Sequence, residues 1–228
     1  MFGVWTLFGR YKSEIDTHWT LGITFITLLA FKIEEFLVYL LNAGSPKTLL
    51  ESIRFPLNLG VYLLSPILHS DGGHIASNLF WLVLFGVILE QRVEFREYVG
   101  FIIGVGIVSN FTAPFFGQLL GFSVGLAIGL SGATHALGMR ETIYRFYILL
   151  DPNRSSRVDW LIFGVAIVST TLLASILIRG VTDPTSSAAA HATGLFLGII
   201  FGIAELDGFT KSFDLLRNRY HAVMEYIT

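Results

Sequence analysis

Residues 73–90 read GHIASNLFWLVLFGVILE, apolar throughout except for His74, Ser77 and Asn78 near one end and Glu90 at the other. A helix of this length is close to the roughly 20 residues needed to cross the hydrocarbon of a bilayer. His74 and Asn78 are four residues apart and project from one helix face, and Leu82, Gly86 and Glu90 continue the same stripe. The stretch therefore predicts a membrane helix with a polar site at its beginning and a carboxyl at its far boundary. Five further stretches, 19–41, 97–115, 131–149, 160–179 and 186–204, are long and apolar enough to be spans.

Composition supports the membrane class. Hydrophobic residues make up 53% of the 228 and charged residues only 14%, too little polar surface for a soluble domain of this length. Cysteine is absent, which excludes disulfides and Cys-ligated zinc. A net charge of −2 supplies no basic field for nucleic acid. Met1 to Phe8 lack a leading basic region and do not read as a cleavable signal peptide.

The Lys and Arg positions orient the spans. With the N-terminus inside, Arg10, Lys12, Arg92, Arg96, Arg140, Arg145, Arg154, Arg157, Lys211, Arg217 and Arg219 fall on the inner side, against Lys47, Arg54 and Arg179 outside. That excess predicts six spans with both termini cytoplasmic. The expected organisation is a cytoplasmic N-terminal segment 1–18, a six-span core 19–205 and an amphipathic cytoplasmic tail 206–228, with Phe209, Phe213, Leu216 and Tyr220 at helical spacing.

Two spans carry charges. Lys32, Glu34 and Glu35 interrupt the first: they snorkel, pair with one another, or mark a misplaced span. Arg140, Glu141 and Arg145 lie in the second half of the fourth, which a protein-facing helix ending early would accommodate. The connection 42–72 is long and partly amphipathic. Segment 116–130 is a glycine-rich loop leading into Ser131, irregular backbone tolerable at membrane depth only beside protein or a wet cavity.

In this arrangement spans two, four and six all descend from the outer face. They bring His74 and Asn78, the Gly129-Leu130-Ser131-Gly132 turn, and His191 to similar depth. Gly194, Gly198 and Gly202 follow His191 as a ridge without side chains, a pattern that lets helix backbones approach closely. An ionisable residue inside a span is a functional candidate by default. His135 lies one turn after Ser131 and either competes as a base or packs beside His191; a base on the serine's own helix is poorly aimed, which favours packing. His69 supports the outer loop or binds water, and Glu90, on the opposite membrane face, is a structural carboxyl.

His74-x-x-x-Asn78, Gly129-x-Ser131-Gly132 and His191-x-x-Gly194-x-x-x-Gly198, in that order and on those spans, resemble the rhomboid intramembrane serine proteases. The resemblance covers roughly residues 19–205. It implies an all-α, six-transmembrane-helix bundle that hydrolyses peptide bonds in or next to transmembrane helices of membrane-protein substrates. Ser131 would be the nucleophile and His191 the base, with Asn78, His74 and the Ser131 amide as oxyanion hole and Gly194 and Gly198 packing near the site. It also implies no metal and no cofactor, and a multi-pass protein of a prokaryotic cell membrane whose site opens to the extracytoplasmic side. The partners expected are transmembrane substrates and the lipid bilayer, not nucleic acid. The Trp-Arg pair common in the family's first outer loop is missing, and His135 stands where an aromatic ring more often stacks on the catalytic histidine. The competing reading is a non-catalytic rhomboid-fold protein that binds membrane clients; a small-solute transporter would need polar residues reaching both faces.

Overall fold

The structure, a computed structural model, describes residues 17–42, 44–45, 57–119, 127–150, 155–182 and 186–206. Among the described residues it is all-helical. Helices α1 (His18–Leu40), α2 (Leu57–Leu64), α3 (Gly72–Glu90), α4 (Phe95–Leu119), α5 (Ser131–Leu149), α6 (Arg157–Thr182) and α7 (Ser186–Glu205) follow in chain order. All six apolar stretches are helical, and the short α2 lies within the long connection after the first. The glycine-rich loop begins later than the sequence suggests, because α4 runs through Pro114 to Leu119. A Pro is tolerated inside such a helix when neighbouring helices re-satisfy the backbone it frees. The tail 207–228, the segment 1–16 and Arg54 lie outside the described residues.

Local chemistry sets several boundaries. Asp71 caps α3 by accepting the His74 amide at 2.8 Å. Ser156 and Asp159 form a reciprocal capping box at the start of α6: the Ser156 amide donates to Asp159 Oδ2 (2.8 Å) and the Asp159 amide to Ser156 Oγ (3.3 Å). Helix α1 gets no side-chain cap from Thr17. Its cap comes from Glu90 at the far end of α3. The fully buried Glu90 carboxyl accepts the amides of Trp19 (2.8 Å) and Thr20 (2.9 Å) and the Thr20 hydroxyl (2.6 Å). Gly86, one turn earlier, leaves room for Thr20 and the Tyr98 hydroxyl, which bond to each other at 2.6 Å. The stripe from Asn78 to Glu90 thus faces protein along its length.

Helix α5 is central, packed against α3, α4, α6 and α7. Its contact with α7 is backbone to backbone. A Cβ on Gly194 would land on the Gly132 carbonyl, one on Gly198 would come within 2.6 Å of the Ala136 carbonyl, and one on Gly202 within 3.0 Å of Ile143 Cβ. The charges within α5 do not end it early, as the sequence alone suggests; the helix continues to Leu149 with all three buried and paired. Glu141 accepts from Arg92 (2.6 Å) and Arg145, Arg145 also reaches Asp159, and Arg140 donates to Glu97 (2.7 Å) and Glu205 (2.8 Å). On α1, Lys32 and Glu35 pair with each other on the exposed face at 2.6 Å, while Glu34 turns inward.

The surface inverts the pattern of a soluble protein. Phe25, Phe36, Phe80, Trp160, Leu161, Val168 and Phe196 are exposed, while Asn78, Glu90, Asn110, His135, Arg140 and Arg145 are buried. Helices that present large apolar side chains outward and gather polar groups within suit a lipid solvent. Two of them, Gly72–Glu90 and Ala188–Glu205, are long and apolar enough to cross a membrane by themselves.

Candidate active site

Ser131 is the first residue of α5 and is buried. The preceding residue, Leu130, provides no side-chain cap, so the leading amides of α5 remain donors at a helix N-terminus, where negative charge is favoured. The turn into the helix depends on Gly129, which has φ +105°, a conformation that other L-residues rarely adopt. Its amide donates to the Ser65 carbonyl (2.7 Å), and its own carbonyl accepts from Asn110 Nδ2 (3.0 Å), which also donates to Ser65 Oγ (3.0 Å). Ser65, just after α2, and Asn110 of α4 therefore hold the serine turn in place.

The side chains of α3 lie over that turn. A Cβ on Gly129 would fall 2.8 Å from His74 Nε2 and 3.1 Å from Asn78 Nδ2. Hydrogen-bond chemistry then fixes proton positions. His69 Nδ1 faces the Ile67 carbonyl (3.2 Å), which can only accept, so Nδ1 carries the proton and Nε2 accepts from Asn78 Nδ2 (3.0 Å). His69 is fully buried and its ring meets His74 edge to face, with centroids 5.1 Å apart. Burial foremost, and then His74, push its pKa down to about 4, so it is neutral near pH 7. Ser70 gives its hydroxyl proton to Asp71 Oδ2 (2.8 Å) and must therefore accept from His74 Nδ1 (3.1 Å). The His74 amide and the Ser70 hydroxyl in turn hold the Asp71 carboxyl below the usual carboxylate range.

His191 approaches from α7. Its ring stacks on His135, with centroids 4.0 Å apart and 12° between planes. His135 Nδ1 donates to the Ser131 carbonyl at 2.6 Å, which also accepts from the Thr134 hydroxyl at 2.9 Å. His135 thus links the serine's backbone carbonyl, by a hydrogen bond, to His191, by ring stacking; among the described residues no hydrogen bond joins the Ser131 hydroxyl to His191. The close contact of Gly132 with Gly194 brings the two turns together. Among the described residues, His191 Nδ1 is buried without a hydrogen-bond partner, and no carboxylate bonds to it.

Sequence reading missed Ser65, Asn110, Ser70 and Asp71 and gave Glu34 no place at the site. Asn110 carried a signal, being a polar amide inside an apolar span. Asp71, three residues before His74, has the spacing of an N-cap to N3 pair. Ser65 and Ser70 carried none.

A helical bundle with apolar outer faces, and a serine, an asparagine and histidines gathered at one end of its interior, suits a membrane-embedded protein with an internal polar site. The Rhomboid domain family model matches residues 58–207, and the chain belongs to the rhomboid family. That family is membrane-embedded and consists mostly of serine intramembrane proteases, with inactive members among them. A search of curated proteins finds no match to the chain.

Proposed function

We propose that this protein is an intramembrane serine endopeptidase that hydrolyses peptide bonds in or next to transmembrane helices of membrane-protein substrates. In this reading α1 and α3 to α7 span a prokaryotic cell membrane, both termini are cytoplasmic, and the Ser131 end of α5 opens to the extracytoplasmic side. The observation that carries the proposal is the convergence on one turn, residues 129–135, of Ser131, the His135–His191 stack and the His74–Asn78 edge.

Neutral His191 accepts the Ser131 proton as the hydroxyl oxygen bonds to the scissile carbonyl carbon. The resulting oxyanion is held by the Asn78 amide and the Ser131 N–H, each such donor worth about 3–4 kcal/mol. His74, whose neutral proton sits on Nδ1, adds a donor at Nε2 when it is protonated. The imidazolium of His191 then delivers its proton to the leaving nitrogen as the C–N bond breaks. Water, deprotonated by the same ring, hydrolyses the acyl ester. Without an acid behind His191, stacking on His135 does the orienting. Loss of the acid in soluble triads costs about four orders of magnitude, so slow turnover is expected. Substrate reaches the site laterally from the lipid, by movement of α6 or the outer loops. Local unwinding of the substrate helix frees the carbonyl for attack, and helix-breaking residues near the cut lower that cost.

Labelling of the detergent-purified protein with a fluorophosphonate tests the reading. Wild type is expected to label, and Ser131→Ala and His191→Ala to remain unlabelled. Persistent labelling of Ser131→Ala refutes the nucleophile. A folded wild type that neither labels nor cleaves a model transmembrane substrate favours the client-binding alternative.

A further inference from the structure

Helix α1 lies wholly before the stretch that matches the family model, yet it places a buried carboxyl under the proposed oxyanion hole. Glu34 is 6% exposed, and its Oε2 accepts the backbone amide of His69 at 3.1 Å. Its Oε1 is buried with no hydrogen-bond partner among the described residues. Burying a carboxyl is costly, whereas an apolar residue facing α3 would carry no such cost. Its exposed neighbours Lys32 and Glu35 satisfy each other, so Glu34 is the one acidic group of that trio committed to the interior.

What Glu34 grips is the loop whose His69 ring bonds the Asn78 side chain beside the serine turn. The loop from Ile67 to Asp71 makes three contacts that matter. The Ile67 carbonyl holds the proton of His69 on Nδ1, which leaves Nε2 to accept from Asn78. Ser70 accepts from His74 Nδ1. Asp71 caps α3 through the His74 amide. The His69 amide lies in the middle of this series and would otherwise be a buried donor without a partner. Asn78 has two amide protons: one is spent on His69, and the direction of that bond decides where the other points.

We infer that Glu34 and His69 form a positioning relay, in which the α1 carboxyl fixes the Ile67–Asp71 loop and His69 thereby turns the second Asn78 amide proton toward the oxyanion. This rests on the serine-protease reading given above. Neither residue touches substrate. Both act through Asn78, a small misplacement of which is costly because catalytic geometry tolerates little error.

The test separates positioning from folding and from the underlying reading. Fluorophosphonate labelling places a phosphoryl oxygen in the same hole, so its kinetics can be split into a maximal rate kinact and an apparent binding constant KI. Active-site titration at long times counts competent molecules, and kinact is expressed per competent site. Removal of a whole oxyanion donor costs about 10²- to 10³-fold. Glu34→Ala, which only misaims one, is expected to lower kinact about 10- to 100-fold with KI within about threefold of wild type. Glu34→Gln retains an oxygen for the His69 amide and is expected to stay within about fivefold of wild type. His69→Gln, which keeps an acceptor for Asn78, should outperform His69→Phe. In the background Asn78→Ala, adding Glu34→Ala should cost nothing more.

A wild-type kinact per competent site in Glu34→Ala overturns the relay, as does an additive loss in the double variant. If Glu34→Ala does not fold, equal kinact in His69→Phe and His69→Gln overturns it instead. Labelling that survives in Ser131→Ala overturns the protease reading, and the relay with it.

Discussion

Gly198→Ala tests whether backbone contact between α5 and α7 sets the site. The added Cβ would stand 2.6 Å from the Ala136 carbonyl oxygen and 2.9 Å from Ala136 Cα, both backbone atoms that no rotamer change can move. Ordinary contact begins near 3.4 Å, so the helices must part by about 0.8 Å at this level. His191 lies seven residues up the same helix, about 10 Å along its axis, and a rigid α7 carries the displacement to the stacked rings. Overpacking of this kind costs about 1–3 kcal/mol. A misplacement near 1 Å can lower a catalytic rate by about 100-fold. Fluorophosphonate labelling and thermal unfolding in one detergent would measure both quantities. Gly104→Ala is the control, because nothing lies within 4 Å of its Cβ position. If Gly198→Ala matched this control in both melting temperature and labelling rate, close backbone packing could not be what holds His191 to Ser131.

Two further outcomes follow from named contacts. Glu90→Ala removes the acceptor of three α1 donors, two of them buried, and is expected to cost about 3–5 kcal/mol, with Glu90→Gln losing about half; an unchanged denaturation midpoint for Glu90→Ala would show that α1 is not held there. Acid should destabilise the fold through His69, whose folded pKa of about 4 lies below its ordinary 6.5. The unfolded chain binds the extra proton, so stability is complete above pH 6.5 and declines as pH falls toward 4, by about 3 kcal/mol in all. His69→Gln should flatten that slope in thermal scans between pH 7 and 4.5, and parallel slopes would remove His69 as its source.

Much of the fold was legible because long apolar stretches form helices, and the six stretches are helical. The glycine ridge on α7 was legible for a related reason: glycines at every fourth position have few uses other than close packing, and Gly132, Ala136 and Ile143 meet them. Charges in helices were harder to read. Glu34, Glu35 and Lys32 look alike in sequence, yet one is buried and two pair outside, because only rotational phase distinguishes them and the partner of Glu34 is a backbone amide 35 residues away. Arg140, Glu141 and Arg145 suggested a truncated helix since their acceptors and donors (Arg92, Glu97, Asp159 and Glu205) come from four other segments. In the site, the proton positions on His69 and His74 could not be read at all, as they depend on a carbonyl at Ile67 and a hydroxyl at Ser70.

The polar groups of α5 divide between its ends in a way that bears on chemistry. At the Arg145 end, the guanidinium of Arg145 and the Glu141 carboxyl are each paired twice, and Arg92 and Arg140 both bridge to Glu205. Removing one partner would strand a buried charge at a cost of about 3–5 kcal/mol, so this end is fixed by ion pairs that tie α5 to α6, α7 and the turn after α3. At the Ser131 end there are no ion pairs among the described residues; the contacts are hydrogen bonds of serine, asparagine and histidine, with ring nitrogens of His135 and His191 left unpartnered. Hydrogen bonds to neutral groups net only about 1 kcal/mol each, well below the cost of breaking the ion pairs at the other end. Ser131, at the start of α5, is thus held from below by ion pairs and from the side by glycine contact.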